Sequence, residues 1–159
     1  MLRVNNQLIA GYVILAASFA ALGLALMSQY GFGYHPCELC IYQRWAFAVV
    51  ILLLLISFVS CKKRLILLLS ALALLVGTSI AAFQFGIEQG WWEGFTACSD
   101  VGGAGSLEDL RAQILEAPIV RCDEPTWFFL GLSMAGWNVL YSGGLFLLAL
   151  ASLWKRKSI

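Results

Sequence analysis

Long apolar runs alternate with short polar breaks along the chain, and the length of the runs sets the expected architecture. Four runs are nearly free of charge: Leu8 to Met27, about Trp45 to Ser60, Leu65 to Ile87, and a fourth within Trp127 to Trp154. A bilayer core of ~30 Å needs about 20 apolar residues at ~1.5 Å rise each. Each run supplies that once interfacial residues are allowed, and none carries the broad polar face of a water-exposed helix. The expected fold is all-α, a four-helix transmembrane bundle with helices over about residues 8–28, 41–60, 65–87 and 133–154. The whole of residues 1–159 then forms one integral membrane domain. Arg3 before the first run invites a signal-peptide reading. A signal peptide's apolar core is only ~7–15 residues long, so the longer run here is read as a retained helix.

The breaks differ in kind. Cys61 to Arg64 allows only a tight hairpin between the second and third helices. The first of the other two loops spans about residues 29–40, where Gly31, Gly33 and Pro36 end any helix. The second spans about residues 88–132, a length more often functional than merely connecting. Within it, Gly102, Gly103 and Gly105 precede Ser106-Leu107-Glu108-Asp109, a start resembling a capping box, and Pro118 follows shortly after. Leu107, Leu110, Ile114 and Leu115 fall on one helical face. A short amphipathic helix is expected there, lying on the membrane surface or packed on the bundle. Trp91, Trp92, Trp127 and Trp137 suit interfacial anchors.

Composition agrees with this picture: 61% of the 159 residues are hydrophobic and 12% charged, against about 25% charged in soluble domains. The net charge of +1 says little, but its placement orients the chain. Arg3, the Lys62-Lys63-Arg64 turn and the Lys155-Arg156-Lys157 tail lie on one side of a four-span bundle. The positive-inside rule makes that side cytoplasmic. The acidic residues, from Glu38 to Glu124, lie in or beside the two opposite loops. Both termini are therefore expected inside and both longer loops outside.

That topology sorts the five cysteines. Cys37, Cys40, Cys98 and Cys122 fall on the outer, oxidising side, where disulfides form; Cys61 alone sits at the cytoplasmic edge, an incidental thiol. Cys37-Glu38-Leu39-Cys40 is a C-x-x-C, a spacing suited to thiol–disulfide exchange because one thiol can resolve a mixed disulfide formed by the other. Cys98 and Cys122 enclose a much larger segment, where a bridge of structural value would also fit. A four-thiolate zinc site competes with these readings, but the second close cysteine pair that structural zinc usually uses is missing.

Pro36 precedes the motif and a helix begins at or just after it, so Cys40 falls near a helix N-terminus, where the dipole favours a thiolate. Arg44 follows Cys40 by four residues on the same face and is the only charge from Ile41 to Ser60. It either snorkels as a plain anchor or serves the cysteines, by stabilising the Cys40 thiolate or by holding a polar acceptor. His35, two residues before Cys37, is either solvated or placed to tune that thiol. No haem, flavin or nucleotide signature is present, so thiols oxidised here call for a lipid-soluble electron sink.

The string Pro36-Cys37-Glu38-Leu39-Cys40-Ile41-Tyr42-Gln43-Arg44 resembles the P-C-x-L-C-x-x-x-R signature of the disulfide bond formation protein B (DsbB) family. Cys122-Asp123-Glu124-Pro125-Thr126-Trp127 and Phe129-Leu130-Gly131-Leu132-Ser133-Met134 resemble that family's segment after its last cysteine. The resemblance implies a bacterial inner-membrane enzyme that oxidises a periplasmic, thioredoxin-fold DsbA-like partner and passes the electrons to ubiquinone or menaquinone. The partner would attack a Cys98–Cys122 disulfide at Cys98. Electrons would pass to Cys37–Cys40 through a Cys37–Cys122 bridge, and Cys40 would reduce a quinone beside Arg44; the DsbA–DsbB–quinone relay is itself a worked case of redox poise. Some members carry a histidine near the outer end of the third helix, where Gln84 stands here. A glutamine hydrogen-bonds but takes up no proton near neutral pH. Two other classes compete: a vitamin-K-epoxide-reductase-like enzyme, whose C-x-x-C is expected late in the bundle, and a non-catalytic membrane subunit with structural disulfides or zinc.

Overall fold

A computed structural model describes residues 2–92 and 128–154. Its helices are α1 (Leu2–Phe32), α2 (Glu38–Val59), α3 (Lys63–Glu88) and α4 (Met134–Trp154), with a two-strand hairpin, β1 (Phe128–Phe129) and β2 (Leu132–Ser133), ahead of α4. All four helices are long and apolar enough to cross a membrane. The expected four-helix bundle is therefore present. The amphipathic helix expected around Ser106 to Pro118 lies outside the described residues, as do Cys98 and Cys122.

Helix ends depart from the sequence expectation for local reasons. α1 continues through Gly31 and stops only where Gly33 takes a positive φ of 72°, so the first loop shrinks to a few residues. A Cβ at Gly31 would meet only Met27 of the same helix, at an ordinary 3.7 Å, and a lone glycine costs a helix only about 1 kcal/mol. α2 begins at Glu38 rather than near Ile41, because the Cys37 sulfur caps it by accepting from the Cys40 N–H at 3.4 Å. α3 ends in a Schellman motif: Gly90, at φ 70°, donates to the Ile87 carbonyl, and Trp91 N–H reaches the Gly86 carbonyl at 2.9 Å. Cys61, in the short turn after α2, is exposed.

α3 packs between α2 and α4, and α1 lies against α2 and α4. Lipid offers no hydrophobic drive between helices, so close approach and hydrogen bonds must hold them. Gly77 supplies the first: a Cβ there would stand 3.0 Å from the Ala46 Cβ on α2. Thr78 on α3 supplies the second, donating to the Ser142 hydroxyl of α4 at 3.0 Å. An apolar cluster of Ile14, Phe47, Val50, Leu54, Leu74 and Ala149 fills the bundle away from the cysteines. Large apolar side chains such as Leu24, Leu52 and Val76 point outward, as a lipid-facing surface requires.

Candidate active site

The cysteine end gathers the C-termini of α1 and α3 and the N-termini of α2 and α4. Leu39 and Ile87 pack around Cys37, which is 6% exposed, with Ile80 and Phe83 against them. As the N-cap of α2, Cys37 is fixed by the backbone, and Cys40 follows one turn on. The Cys37 thiol donates to the Cys40 sulfur at 3.0 Å, hydrogen-bond contact rather than the ~2.05 Å of a disulfide. The pair thus needs only a small approach of the sulfurs to close.

Beside the pair lies a cavity of about 540 Å³, within the roughly 300–1,000 Å³ typical of small-molecule sites. Leu22, Ala25 and Phe47 make much of its wall apolar, and Cys37 and Cys40 open onto it together with Gln43, Arg44, Gln84 and Glu88. His35 and Tyr34, from the loop before α2, also face it. Of the residues named from sequence, the structure brings together Cys37, Cys40 and Arg44.

Arg44 does not simply snorkel to the surface. Its Nη1 donates to the Gln29 side chain and its Nη2 to the Ala25 carbonyl at 3.2 Å, both on α1. A guanidinium has five N–H donors, so others remain for an acceptor in the cavity. The bonds to α1 hold the fork in place before any ligand arrives, which lowers the ordering cost of binding.

Three polar residues that the sequence reading gave no site role, Gln43, Asn138 and Glu88, complete the site. Asn138 on α4 donates to Gln43 Oε1, and Gln43 Nε2 donates to Gln84 Oε1 at 2.8 Å. Gln84 Nε2 in turn faces Cys40 Sγ at 3.6 Å and Glu88 Oε1 at 3.4 Å. Gln43 and Gln84 are buried. The amide chain runs across three helices with every donor pointing the same way, so the Gln84 N–H groups are aimed at sulfur and carboxylate. The signal that would have found Gln43 and Asn138 is their polarity inside apolar runs, since polar groups within a membrane span are expensive and usually functional.

Trp92 and Trp137 close the end of the bundle. Trp92 stacks on Phe83, its centroid 5.8 Å away, donates to the Phe83 carbonyl at 3.0 Å, and covers Gly86, where a Cβ would collide with the indole. Trp137 donates to the Phe129 carbonyl of the hairpin at 2.9 Å. Among the described residues, no three His, Cys, Asp or Glu side chains converge on a metal position.

Residues 7–152 match the family described as Disulfide bond formation protein DsbB. The chain is 33% identical over 158 residues to disulfide bond formation protein B of Azoarcus sp. (strain BH72), covering 91% of this chain and 90% of that one. It is 29% identical over 155 residues to the protein of the same name from Albidiferax ferrireducens, covering 89% and 86%. An uncharacterized protein of Rickettsia prowazekii (strain Madrid E) is 25% identical over 143 residues, covering 87% and 83%. No solved structure matches the chain.

Proposed function

The chain belongs to the DsbB family and is a multi-pass membrane disulfide oxidoreductase; on that premise we propose that it oxidises a DsbA-like thioredoxin-fold protein and delivers the electrons to a membrane quinone. The observation that carries the quinone reading is the joint lining of one largely apolar cavity by Cys37, Cys40 and Arg44. The residues present fit such a group. The apolar walls suit a lipid-soluble ring, and the uncommitted donors of Arg44 suit a quinone oxygen. Bound there, a quinone supplies the sink for two electrons and two protons.

The protein's own groups do the rest. The Cys37–Cys40 disulfide takes up two electrons and two protons to become a dithiol and returns to a disulfide as it gives them up, with Cys40 facing the acceptor. Arg44 holds the acceptor's oxygen and favours negative charge beside Cys40. Cys98 and Cys122 are proposed as the pair that meets the partner, Cys98 forming the mixed disulfide and Cys122 handing the electrons on to Cys37. The cationic end of the bundle is assigned to the cytoplasm of a bacterial inner membrane and the cysteine end to the periplasm, from the placement of Lys and Arg.

The test is direct. Purified protein is supplied with a reduced DsbA-like donor and a quinone, and quinone absorbance is followed. Donor-dependent reduction is expected in the wild type and its loss in Cys40→Ser. A wild type without such activity, or a Cys40→Ser variant that keeps it, would overturn the reading. Loss of stability without any redox reaction to lose would favour the non-catalytic subunit instead.

A further inference from the structure

Closing the Cys37–Cys40 disulfide breaks two S–H bonds, forms one S–S bond, and releases two electrons and two protons. The electrons and protons have their final sink in the function proposed above, on which this inference rests; the group that takes the proton from Cys40 on the way has not been assigned. We propose that Glu88 is its acceptor, taking the Cys40 thiol proton as the sulfur is oxidised and releasing it into the adjoining cavity.

The wall of the cavity leaves few other acceptors, and His35, the imidazole among them, has no hydrogen bond to Cys40 or Gln84 among the described residues. Gln43, Gln84 and Asn138 carry amides, which are not bases, and the Arg44 guanidinium offers donors but no acceptor. Tyr141, on the α4 wall, already donates its hydroxyl proton to the Ala17 carbonyl at 2.8 Å. Glu88 is the one carboxylate among the described lining residues. Gln84 Nε2 touches both partners, Cys40 Sγ at 3.6 Å and Glu88 Oε1 at 3.4 Å. Sulfur and carboxylate are thus one side-chain amide apart and open onto the same cavity, whose size admits a bridging water. The second carboxylate oxygen, Oε2, is buried with no hydrogen-bond partner, the Ser133 hydroxyl being near the group. With the Ser133 hydroxyl as the donor near it, this buried oxygen is poorly satisfied and keeps lone pairs free to take a proton. Negative charges on Glu88 and Cys40 together would repel across a low-dielectric wall, so a change in charge on one is expected to be felt at the other.

Gln84 is here a positioning residue. It takes no proton, but its place in the amide chain from Asn138 and Gln43 fixes its N–H groups toward both members of the pair.

The test reads the pair without quinone or donor. Reduced full-length protein is alkylated across pH, and the rate at Cys40 is followed by mass spectrometry. Other titratable or charged groups on this cavity are Tyr34, His35, Cys37, Arg44 and Tyr141, so His35→Gln serves as a control. The profile is taken in a Cys37→Ser background, which removes the thiol 3.0 Å from Cys40; the otherwise wild-type protein is expected to show two steps, and Glu88→Gln a single step. Glu88→Asp, which keeps a carboxylate, and His35→Gln should both keep two steps. In the turnover assay, Glu88→Gln should lower kcat by about 100-fold, the lower end of general acid–base effects, with the quinone KM changed less than kcat. Superimposable wild-type and Glu88→Gln alkylation profiles, or loss of the second step in His35→Gln, would overturn the proposal. Because the alkylation arm uses neither donor nor quinone, its failure is distinct from a failure of the proposed function.

Discussion

The two ends of the bundle use the same four helices in opposite ways. Away from the cysteines, Ile14, Val50, Leu54, Leu74 and Ala149 interlock as a dry cluster, and hydroxyls such as Ser70 turn back onto their own helix, donating to the Ile66 carbonyl at 3.0 Å. At the cysteine end, hydrogen bonds from Asn138 to Gln43 and from Gln43 to Gln84 cross between helices, and a cavity of about 540 Å³ replaces close packing. A void and a row of buried amides both cost stability in a bilayer, where no water can satisfy what the protein leaves open. The tight end supplies the rigidity that lets the other end keep a preformed, polar-lined space. A difference of this kind predicts that the ends respond to different measurements.

Cys40→Ser should have the largest effect, abolishing quinone reduction while leaving the fold intact, since serine fits the same first turn of α2. Next, Arg44→Ala should raise the apparent KM for quinone by about 10- to 100-fold, the equivalent of a ~1.5–3 kcal/mol hydrogen bond to a charged group. Exchange with the thiol donor, followed by stopped-flow fluorescence, should change far less. Equal effects on both steps would count against Arg44 as the acceptor's contact.

A change at the packed end should invert that pattern. Gly77→Leu forces a branched side chain against Ala46, and overpacking of this kind costs about 1–3 kcal/mol. Thermal unfolding in detergent should shift down while kcat per folded molecule stays the same. A loss of kcat with unchanged stability would mean the two ends are not separable. The smallest effects form a matched pair. Asn138→Leu and Thr78→Val each delete one interhelical hydrogen bond, worth about 0.6 kcal/mol on average within membranes. Both should lower stability slightly, but only Asn138→Leu should slow turnover, by a few-fold, because it frees the amide chain that orients Gln84.

How much of this was legible follows from the range of the interactions. The number of spans was readable because each helix must satisfy its own backbone in lipid and therefore leaves an uninterrupted apolar run. Cys37, Cys40 and Arg44 were readable together because C-x-x-C and the i, i+4 step are local spacings on one helix. Gln43 was in plain view within the same motif, yet its partner Gln84 lies 41 residues further on and Asn138 lies 95 residues away. No local period links such residues, and their polarity within apolar runs was the only trace. Glu88, the last residue of α3, read as one more acidic residue in a loop.

The sequence by itself determined four membrane-crossing helices, the segregation of cations to one side of them, and a thiol pair at the start of the second, since each depends on residues close together in the chain. Tertiary structure alone decided that the Cys37 sulfur caps α2, that Arg44 is braced against α1, and that amides from three helices meet between Cys40 and Glu88. Those depend on which helix faces touch, which glycine and serine contacts set through close approach rather than through any pattern along a single helix.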